Sequence, residues 1–148
     1  MPSSPQELLD AAEGLAATSA EPLLRAAVSR AYYSAYHFGS VAVQNELPLI
    51  NALNVQGAGG SHEQLITKML MAKTARWTSA AYRLRELKSE RVKADYQLDS
   101  VVTQSEAIQA VGEAKKIFAV LAWPCGLALD EVLGRRALLV FSLVPIRV

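Results

Sequence analysis

The sequence predicts an all-α fold, an antiparallel bundle of four to five helices. Apolar residues recur at helical spacing along most of the first 122 residues. No run in that range alternates apolar and polar residues as a half-buried strand would. Most connections between the helical segments are short, which is typical of an α-helical bundle with a single core.

The first two helices have clear sequence signals. Ser4 can cap the first helix, with Pro5 at its first position and Glu7 at the capping-box position. The second helix is predicted from about residue 21 to residue 44, and it is apolar nearly all round. A helix of that character is expected at the buried centre of the bundle.

Three more helices are expected after a loop at residues 45–60, whose glycine cluster we interpret as a flexible connection. Ser61 is the predicted cap of the third helix. The fourth helix is predicted over about residues 75–97, and the fifth from Thr103, with Glu106 completing a second capping box. The apolar residues expected in the core are Ala80, Leu84, Leu87, Ala94 and Leu98 of the fourth helix and Ile108, Val111, Ala114, Phe118 and Leu121 of the fifth.

The end of the chain differs from the bundle. Residues 123–148 contain no lysine and include ALLVFSLVPI, an apolar run too short to span a membrane, which takes about 20 residues. This segment could be a strand or short helix on the bundle, a self-association element or a tail outside the domain. We therefore divide the chain into a helical bundle at residues 1–122 and an apolar tail of unknown role at residues 123–148.

The composition is that of a globular protein. Apolar residues make up 51% of the chain and charged residues 20%, which excludes general disorder. The single cysteine, Cys125, cannot form an internal disulfide, and one Cys with two His is not a zinc ligand set. The first residues lack the basic-then-apolar order of a signal peptide. We expect a cytoplasmic protein that contacts no membrane and needs neither metal nor cofactor.

The charge is unevenly distributed. The formal net charge is only +1, but residues 68–93 carry +6 and the rest of the chain −5. Such a basic segment is compatible with a polyanionic partner and equally with a solvated helix face. Arg83 and Lys88 are candidates for contacts with nucleic acid or phosphate, and the interleaved Trp77 and Tyr82 could stack on bases. The basic segment comprises Lys68, Lys73, Arg76, Arg83, Arg85, Lys88, Arg91 and Lys93.

The second helix contains the stretch SRAYYSAYH, which interrupts its apolar character. Arg30, Tyr33, Ser34 and His37 follow the i, i+3, i+4, i+7 pattern and so are predicted on one face. An arginine and a histidine two turns apart suit either of two roles. They can belong to a buried polar network that fixes helix docking, or they can line a site.

The fourth helix breaks its apolar stripe in the same way. Arg91 stands where an apolar residue is expected, and Asp95, one turn later, can pair with it. A partner is needed because an unpaired buried charge costs several kcal/mol. Tyr96 flanks the pair. His62 follows the expected cap of the third helix, where it is either a surface residue of the first turn or a group that binds an anion.

Three motifs in order, SRAYYSAYH, SHEQL and RVKADYQLD, resemble those of HEPN-domain proteins, in particular the small stand-alone prokaryotic members. The resemblance covers roughly residues 5–122. It implies a homodimer of helical bundles and, in many members, a metal-independent endoribonuclease of a toxin–antitoxin or other defence system. The family motif is an Arg followed, after four to six residues, by a His. Arg30 and His37, separated by six residues, fit that spacing.

The resemblance to HEPN endoribonucleases implies that Arg30 and His37 are the catalytic residues. An imidazole exchanges protons near neutral pH, as RNA cleavage requires at the 2′-hydroxyl and at the leaving oxygen. The Arg30 guanidinium can hold the phosphate through forked hydrogen bonds. Tyr33 could orient either group. Arg91, Asp95 and Tyr96 are expected to support the site.

Two other functions stay open at this point. The chain could be a non-catalytic HEPN module that binds a nucleotide or a nucleotidyltransferase-type partner protein. It could also be a helical interaction domain whose polar stripe only fixes the helix register. The ribonuclease hypothesis and the ligand-binding hypothesis require Arg30 and His37 to be exposed to solvent. The hypothesis of a structural polar network predicts that both side chains are buried in the core.

Overall fold

The computed structural model describes residues 3–55 and 59–122, which contain six α-helices and no strand. The all-α prediction is therefore confirmed. The expectations for the tail at residues 123–148 fall outside the described residues. The helices are α1 (Pro5–Ala16), α2 (Glu21–Glu46), α3 (Pro48–Asn51), α4 (Ser61–Met71), α5 (Ala75–Tyr96) and α6 (Gln104–Ala122).

Helix α2 is the centre of the bundle, as its apolar sequence predicts. It packs most extensively against α1, α6 and α5 and also contacts α3 and α4. Gly39 lets α4 approach closely, because a Cβ at this position would lie 2.5 Å from the Met69 Cε atom. Ser34 is fully buried, and its hydroxyl donates a hydrogen bond to the Ala31 carbonyl at 2.8 Å.

Both predicted capping boxes are confirmed. At the start of α1 the Ser4 Oγ accepts the Glu7 N–H at 3.2 Å, while the Glu7 carboxylate accepts the Ser4 N–H at 2.7 Å. At the start of α6 the Thr103 hydroxyl and the Glu106 carboxylate form the same reciprocal pair, at 3.3 and 2.7 Å. Each pair satisfies two backbone N–H groups that the helix itself leaves free.

Two sequence predictions about the 45–60 connection are wrong. The connection is not all loop, because α3 adds one helical turn directly after α2. Ser61 does not cap α4: it is already the first helical residue, and Gly60 is the N-cap without a side-chain hydrogen bond. The reason is local backbone geometry. Gly59 takes a left-handed φ of +79°, and the extended Gly60 then leads into the helix.

Two predicted core residues are also wrong. Leu98 is 78% exposed, because α5 ends at Tyr96 and the apolar stripe ends with it. Ile108 is 56% exposed, because α6 buries the neighbouring positions Ala107, Ala110 and Val111 instead. The other predicted core residues of α5 and α6 are buried.

Two arginines bind the carbonyl ends of neighbouring helices. Arg25 of α2 donates to the Ala94 carbonyl in the last turns of α5 at 2.7 Å. Arg76 of α5 donates through Nε to the Val120 carbonyl of α6 at 2.9 Å, and it forms a two-pronged ion pair with Glu46 of α2. A cation there opposes the negative end of the helix dipole and satisfies carbonyls that lack helical partners.

None of the helices in the described part of the chain combines the length and apolar character needed to cross a membrane.

Candidate functional site

The face of α2 that contains SRAYYSAYH reaches the surface. Arg30 and His37 are both exposed, Tyr33 is half-buried, and Ser34 is sealed inside the bundle. Ser34 therefore does not share the outer face with the other three residues, because the i+4 position turns toward the core. The exposure of Arg30 and His37 argues against the reading in which this stripe is a sealed structural network.

Both histidines of the protein lie in one group of rings, here called the ring cluster, which joins α2 to the first turn of α4. The His62 ring centroid lies 4.5 Å from that of Tyr36 and 6.0 Å from that of Tyr33. The His37 ring lies 5.2 Å from Tyr36 and 6.3 Å from Tyr33. The five members of the ring cluster are Tyr32, Tyr33, Tyr36, His37 and His62.

His62 is hydrogen-bonded and its charged form is disfavoured. Its Nδ1 atom lies 2.7 Å from the hydroxyl oxygen of Tyr32, a side chain that is only 1% exposed. Burial lowers the pKa of His62, and the nearby cations Arg91 and Lys88 lower it further. Burial also raises the pKa of Tyr32, so the phenol keeps its proton. His62 is therefore a neutral imidazole at neutral pH.

Arg91 has the partners that its position in the apolar stripe requires. Its Nη2 donates to the Tyr33 hydroxyl at 2.9 Å, and its Nε lies 2.6 Å from the Asp95 carboxylate. The guanidinium also lies over the rings of Tyr33 and Tyr96, at 5.3 Å from each centroid. Burial alone would lower the pKa of Arg91, but Tyr33, Asp95 and Tyr96 outweigh it and raise the pKa.

The Arg91 network joins α5 to α2 beside the ring cluster. Tyr33 belongs to both, since its hydroxyl accepts from Arg91 and its ring packs near both histidines. Ser29 also reaches the Asp95 carboxylate, at 3.4 Å. The structure thus brings together the sequence-predicted residues Tyr33, His37, His62, Arg91, Asp95 and Tyr96.

Arg30 stands apart from this group. Within residues 3–55 and 59–122 it makes no hydrogen bond or ion pair and its side chain is exposed. His37 lies seven positions further along the helix, a rise of about 10 Å. His37 in turn borders a surface pocket of about 360 Å³ between α2 and the start of α1, with Leu8 and Gln44 among its walls.

The basic segment is largely neutralised by carboxylates on other helices. Arg83 pairs with Glu113 and Lys88 with Glu63, so these two candidates for phosphate contacts already have anionic partners. Trp77 is buried and cannot stack on a base, which corrects its predicted role, whereas Tyr82 is exposed. The five ion pairs of the segment in the described residues are Arg76–Glu46, Arg83–Glu113, Lys88–Glu63, Arg91–Asp95 and Lys93–Glu106.

Three members of the site were not predicted from the sequence. Tyr32 and Tyr36 are one helical turn apart and lie between Arg30 and His37, and that spacing was the signal available for them. Ser29 had no signal. The placement of His62 against the tyrosines depends on how α4 packs on α2, and the two residues that meet are 30 positions apart in the chain.

Comparison of the chain with protein-family models, curated proteins and solved structures gave no match. The resemblance to HEPN-domain proteins therefore stays a prediction from the three motifs. Among the described residues, no three His, Cys, Asp or Glu side chains are grouped so that they could hold a metal ion. The arrangement brings two imidazoles, the Arg91 guanidinium and the half-buried rings of Tyr33 and Tyr36 together, with Arg30 exposed further along α2, which suits binding and proton transfer at a phosphate.

Proposed function

We propose that the protein is a toxin-like, metal-independent endoribonuclease that acts through Arg30 and His37. One observation carries the proposal: Arg30 and His37 are both exposed on the same side of α2, and His62 and Arg91 contact the tyrosines that pack against His37. A buried Arg–His pair would have served helix packing only. An exposed pair is available to a substrate.

The chemistry of the proposal is a transfer within RNA. The 2′-oxygen loses its proton to a base, attacks the adjacent phosphorus and displaces the 5′-oxygen, which takes up a proton. The products are a 2′,3′-cyclic phosphate and a 5′-hydroxyl end. His37 is the group that exchanges protons, because its exposed imidazole can both accept and donate a proton at the surface. Arg30 binds the phosphate and stabilises the charge that develops on it.

The Arg91 network supports this surface. Asp95 and Tyr96 hold the Arg91 guanidinium against Tyr33, so that the ring between Arg30 and His37 has a fixed position. The biological setting follows from the resemblance to HEPN-domain proteins. It is a cytoplasmic homodimer in a toxin–antitoxin or defence module, with RNA as substrate.

The test is RNA cleavage by the purified full-length chain in the presence of EDTA. His37→Ala and Arg30→Ala are expected to lower the cleavage rate at least 100-fold, the usual contribution of a positioned proton-transfer group. Both variants should keep the wild-type melting temperature, because both side chains are exposed. Asn45→Ala, an exposed change on the same helix away from the pocket beside His37, is the matched control and should cleave like the wild type. A folded wild type that cleaves no RNA contradicts the proposal.

A second candidate is a non-catalytic module that binds a nucleotide or a nucleotidyltransferase-type partner. The observation that favours it is the neutralised basic segment, since five of its eight basic residues face carboxylates. A small phosphate ligand needs fewer free cations than a long polyanion. Melting temperatures with ATP, GTP and AMP test this function. Stabilisation that Arg30→Ala removes supports it, and no shift with any of the three speaks against it.

A further inference from the structure

The hydrogen bond between Tyr32 and His62 limits which nitrogen of the imidazole carries the proton. The two atoms are 2.7 Å apart, and Tyr32 is almost fully buried. Within the described residues the Tyr32 hydroxyl has no other hydrogen-bond partner. Its proton therefore either points at His62 or goes without an acceptor.

The two possible arrangements differ in how many polar groups they satisfy. If the neutral His62 carries its proton on Nδ1, it donates to the Tyr32 oxygen, and the buried Tyr32 proton is left unpaired. An unpaired buried donor is unfavourable. If His62 carries its proton on Nε2, the Tyr32 hydroxyl donates to the free lone pair of Nδ1, and both groups are satisfied. The second arrangement is therefore the more stable one.

We infer that Tyr32 is a positioning residue that holds neutral His62 with its proton on Nε2, so that His62 offers an uncharged hydrogen-bond donor to a phosphodiester oxygen. The inference deepens the proposed function, on which its ligand class rests. It also separates the two histidines by role. His37 exchanges protons, whereas His62 donates a hydrogen bond without changing its charge.

The charged groups around His62 favour the neutral form. Arg91 and Lys88 face it from α5, and His37 faces it from α2. Glu63, on the same helix as His62, is the one carboxylate among the groups that act on it, and Glu63 is already paired with Lys88. The remaining neighbours are the rings of Tyr32, Tyr33 and Tyr36.

The proton position is measured directly by ¹⁵N NMR of the histidine side chains in the full-length chain at pH 7.5. The wild type is expected to show His62 protonated on Nε2. Tyr32→Phe removes the donor to Nδ1 and is expected to give a mixture of the two neutral forms. Tyr36→Phe is the matched control, because the Tyr36 ring packs on His62 but its hydroxyl does not bond to it. A wild-type His62 protonated on Nδ1, or a Tyr32→Phe spectrum identical to wild type, overturns the inference.

The ligand class is tested with a single-stranded DNA hexamer, which has phosphodiesters but no 2′-hydroxyl to cleave. In the wild type the hexamer should move the His62 Nε2–H resonance to lower field. Tyr32→Phe should bind the hexamer about twofold more weakly, because only the fraction of His62 that carries its proton on Nε2 can donate to the phosphodiester. No movement of the Nε2–H resonance overturns the donor role. If the NMR spectra show His62 protonated on Nε2 and the hexamer moves that resonance, but the protein does not cleave RNA, then the proposed ribonuclease function is wrong. The inferred role of Tyr32 in positioning His62 is then still supported.

Discussion

At the scale of single residues, the environment of His62 makes the fold sensitive to mild acid. Burial and the cations Arg91 and Lys88 lower the pKa of His62 in the folded state below that of the unfolded chain. Between these two pKa values the unfolded state binds more protons, so stability rises with pH. The contribution is complete above the unfolded pKa, near 6.5, and is lost as the pH falls below it.

We therefore expect the free energy of unfolding of the wild type to decrease from pH 7.5 to pH 5. In His62→Gln the decrease should be smaller, because the titrating group is gone. Thr67→Ser, a conservative change on the same helix that removes no titrating group, is the control and should keep the wild-type slope. Urea unfolding at several pH values measures both. The carboxylates with lowered pKa, Glu63, Glu106 and Glu113, contribute little in this range, because their effect on stability begins only as the pH falls toward the unfolded-state pKa of glutamate, about 4.3. Equal slopes for wild type and His62→Gln would refute the expectation.

Lys73 is a second residue with a measurable local effect. It follows the end of α4 and has a left-handed φ of 53°, while its N–H donates to the Leu70 carbonyl at 3.2 Å. A side chain is unfavourable in that conformation, and glycine is the usual residue there. We expect Lys73→Gly to raise the free energy of unfolding by about 1 kcal/mol in urea titrations. Lys73→Ala keeps the Cβ and removes only the charge, so a gain of the same size in Lys73→Ala would contradict this explanation.

Some residues of the site could be predicted from the sequence and others could not. The Arg–His stripe on α2 could be predicted, because helical spacing is a property of the local sequence. The partners of Arg91 could be predicted only in part. Asp95 is one turn away on the same helix, but Tyr33 lies 58 positions earlier in the chain and meets Arg91 only once α2 and α5 pack together. The role of His62 depends on a tertiary contact in the same way.

At the scale of helices, ion pairs and carbonyl contacts attach α5 to each of its larger neighbours. Lys88 pairs with α4 through Glu63, and Arg83 pairs with α6 through Glu113. Such half-exposed pairs are each worth only about 0–1 kcal/mol, so they guide helix orientation more than they stabilise the fold. Arg25 of α2 differs, because its side chain is only 11% exposed and binds the C-terminal end of α5.

We expect Arg25→Met to lower the free energy of unfolding by about 2–3 kcal/mol. The variant keeps an unbranched apolar stem but loses the hydrogen bonds to the carbonyls of Ala94, Gln97 and Ser100 and the ion pair with Glu21. Arg30→Met, an exposed arginine on the same helix, is the matched control and should change stability by less than about 0.5 kcal/mol. Chemical unfolding of the wild type, Arg25→Met and Arg30→Met measures these differences in the free energy of unfolding. Equal losses in both variants would mean that the carbonyl contacts contribute little.

Helix positions were predicted well where apolar spacing and capping residues agree. The start of α1 and that of α6 follow from reciprocal Ser–Glu and Thr–Glu pairs. The start of α4 was assigned one residue late, because a serine before an apolar run is a strong cap signal and the backbone of Gly59 and Gly60 is invisible in the sequence. The helix α3 was missed, since a single turn has no periodicity to detect.

At the scale of the whole molecule, the geometry of α2 bears on how many copies of the chain the proposed reaction needs. Arg30 and His37 are about 10 Å apart along the helix. Side chains on a helix tilt toward its N-terminus, so Arg30 and His37 lean in the same direction and keep this separation. One chain therefore does not bring both groups to the same phosphate. A symmetric dimer can, if Arg30 of one protomer faces His37 of its partner.

This arrangement predicts that two inactive variants restore each other. In a mixed dimer of Arg30→Ala and His37→Ala, one of the two sites contains both substitutions and the other contains neither. If the subunits exchange freely, half of the dimers are mixed and each has one intact site, so the mixture should recover about a quarter of the wild-type cleavage rate. The measurement is RNA cleavage by the variants alone and after joint unfolding and refolding, with differently tagged chains to count mixed dimers. If both groups acted within one chain, each protomer of a mixed dimer would still lack one of them. Mixed dimers without activity, or a wild type that sediments as a monomer while it cleaves RNA, would rule out a site shared between protomers.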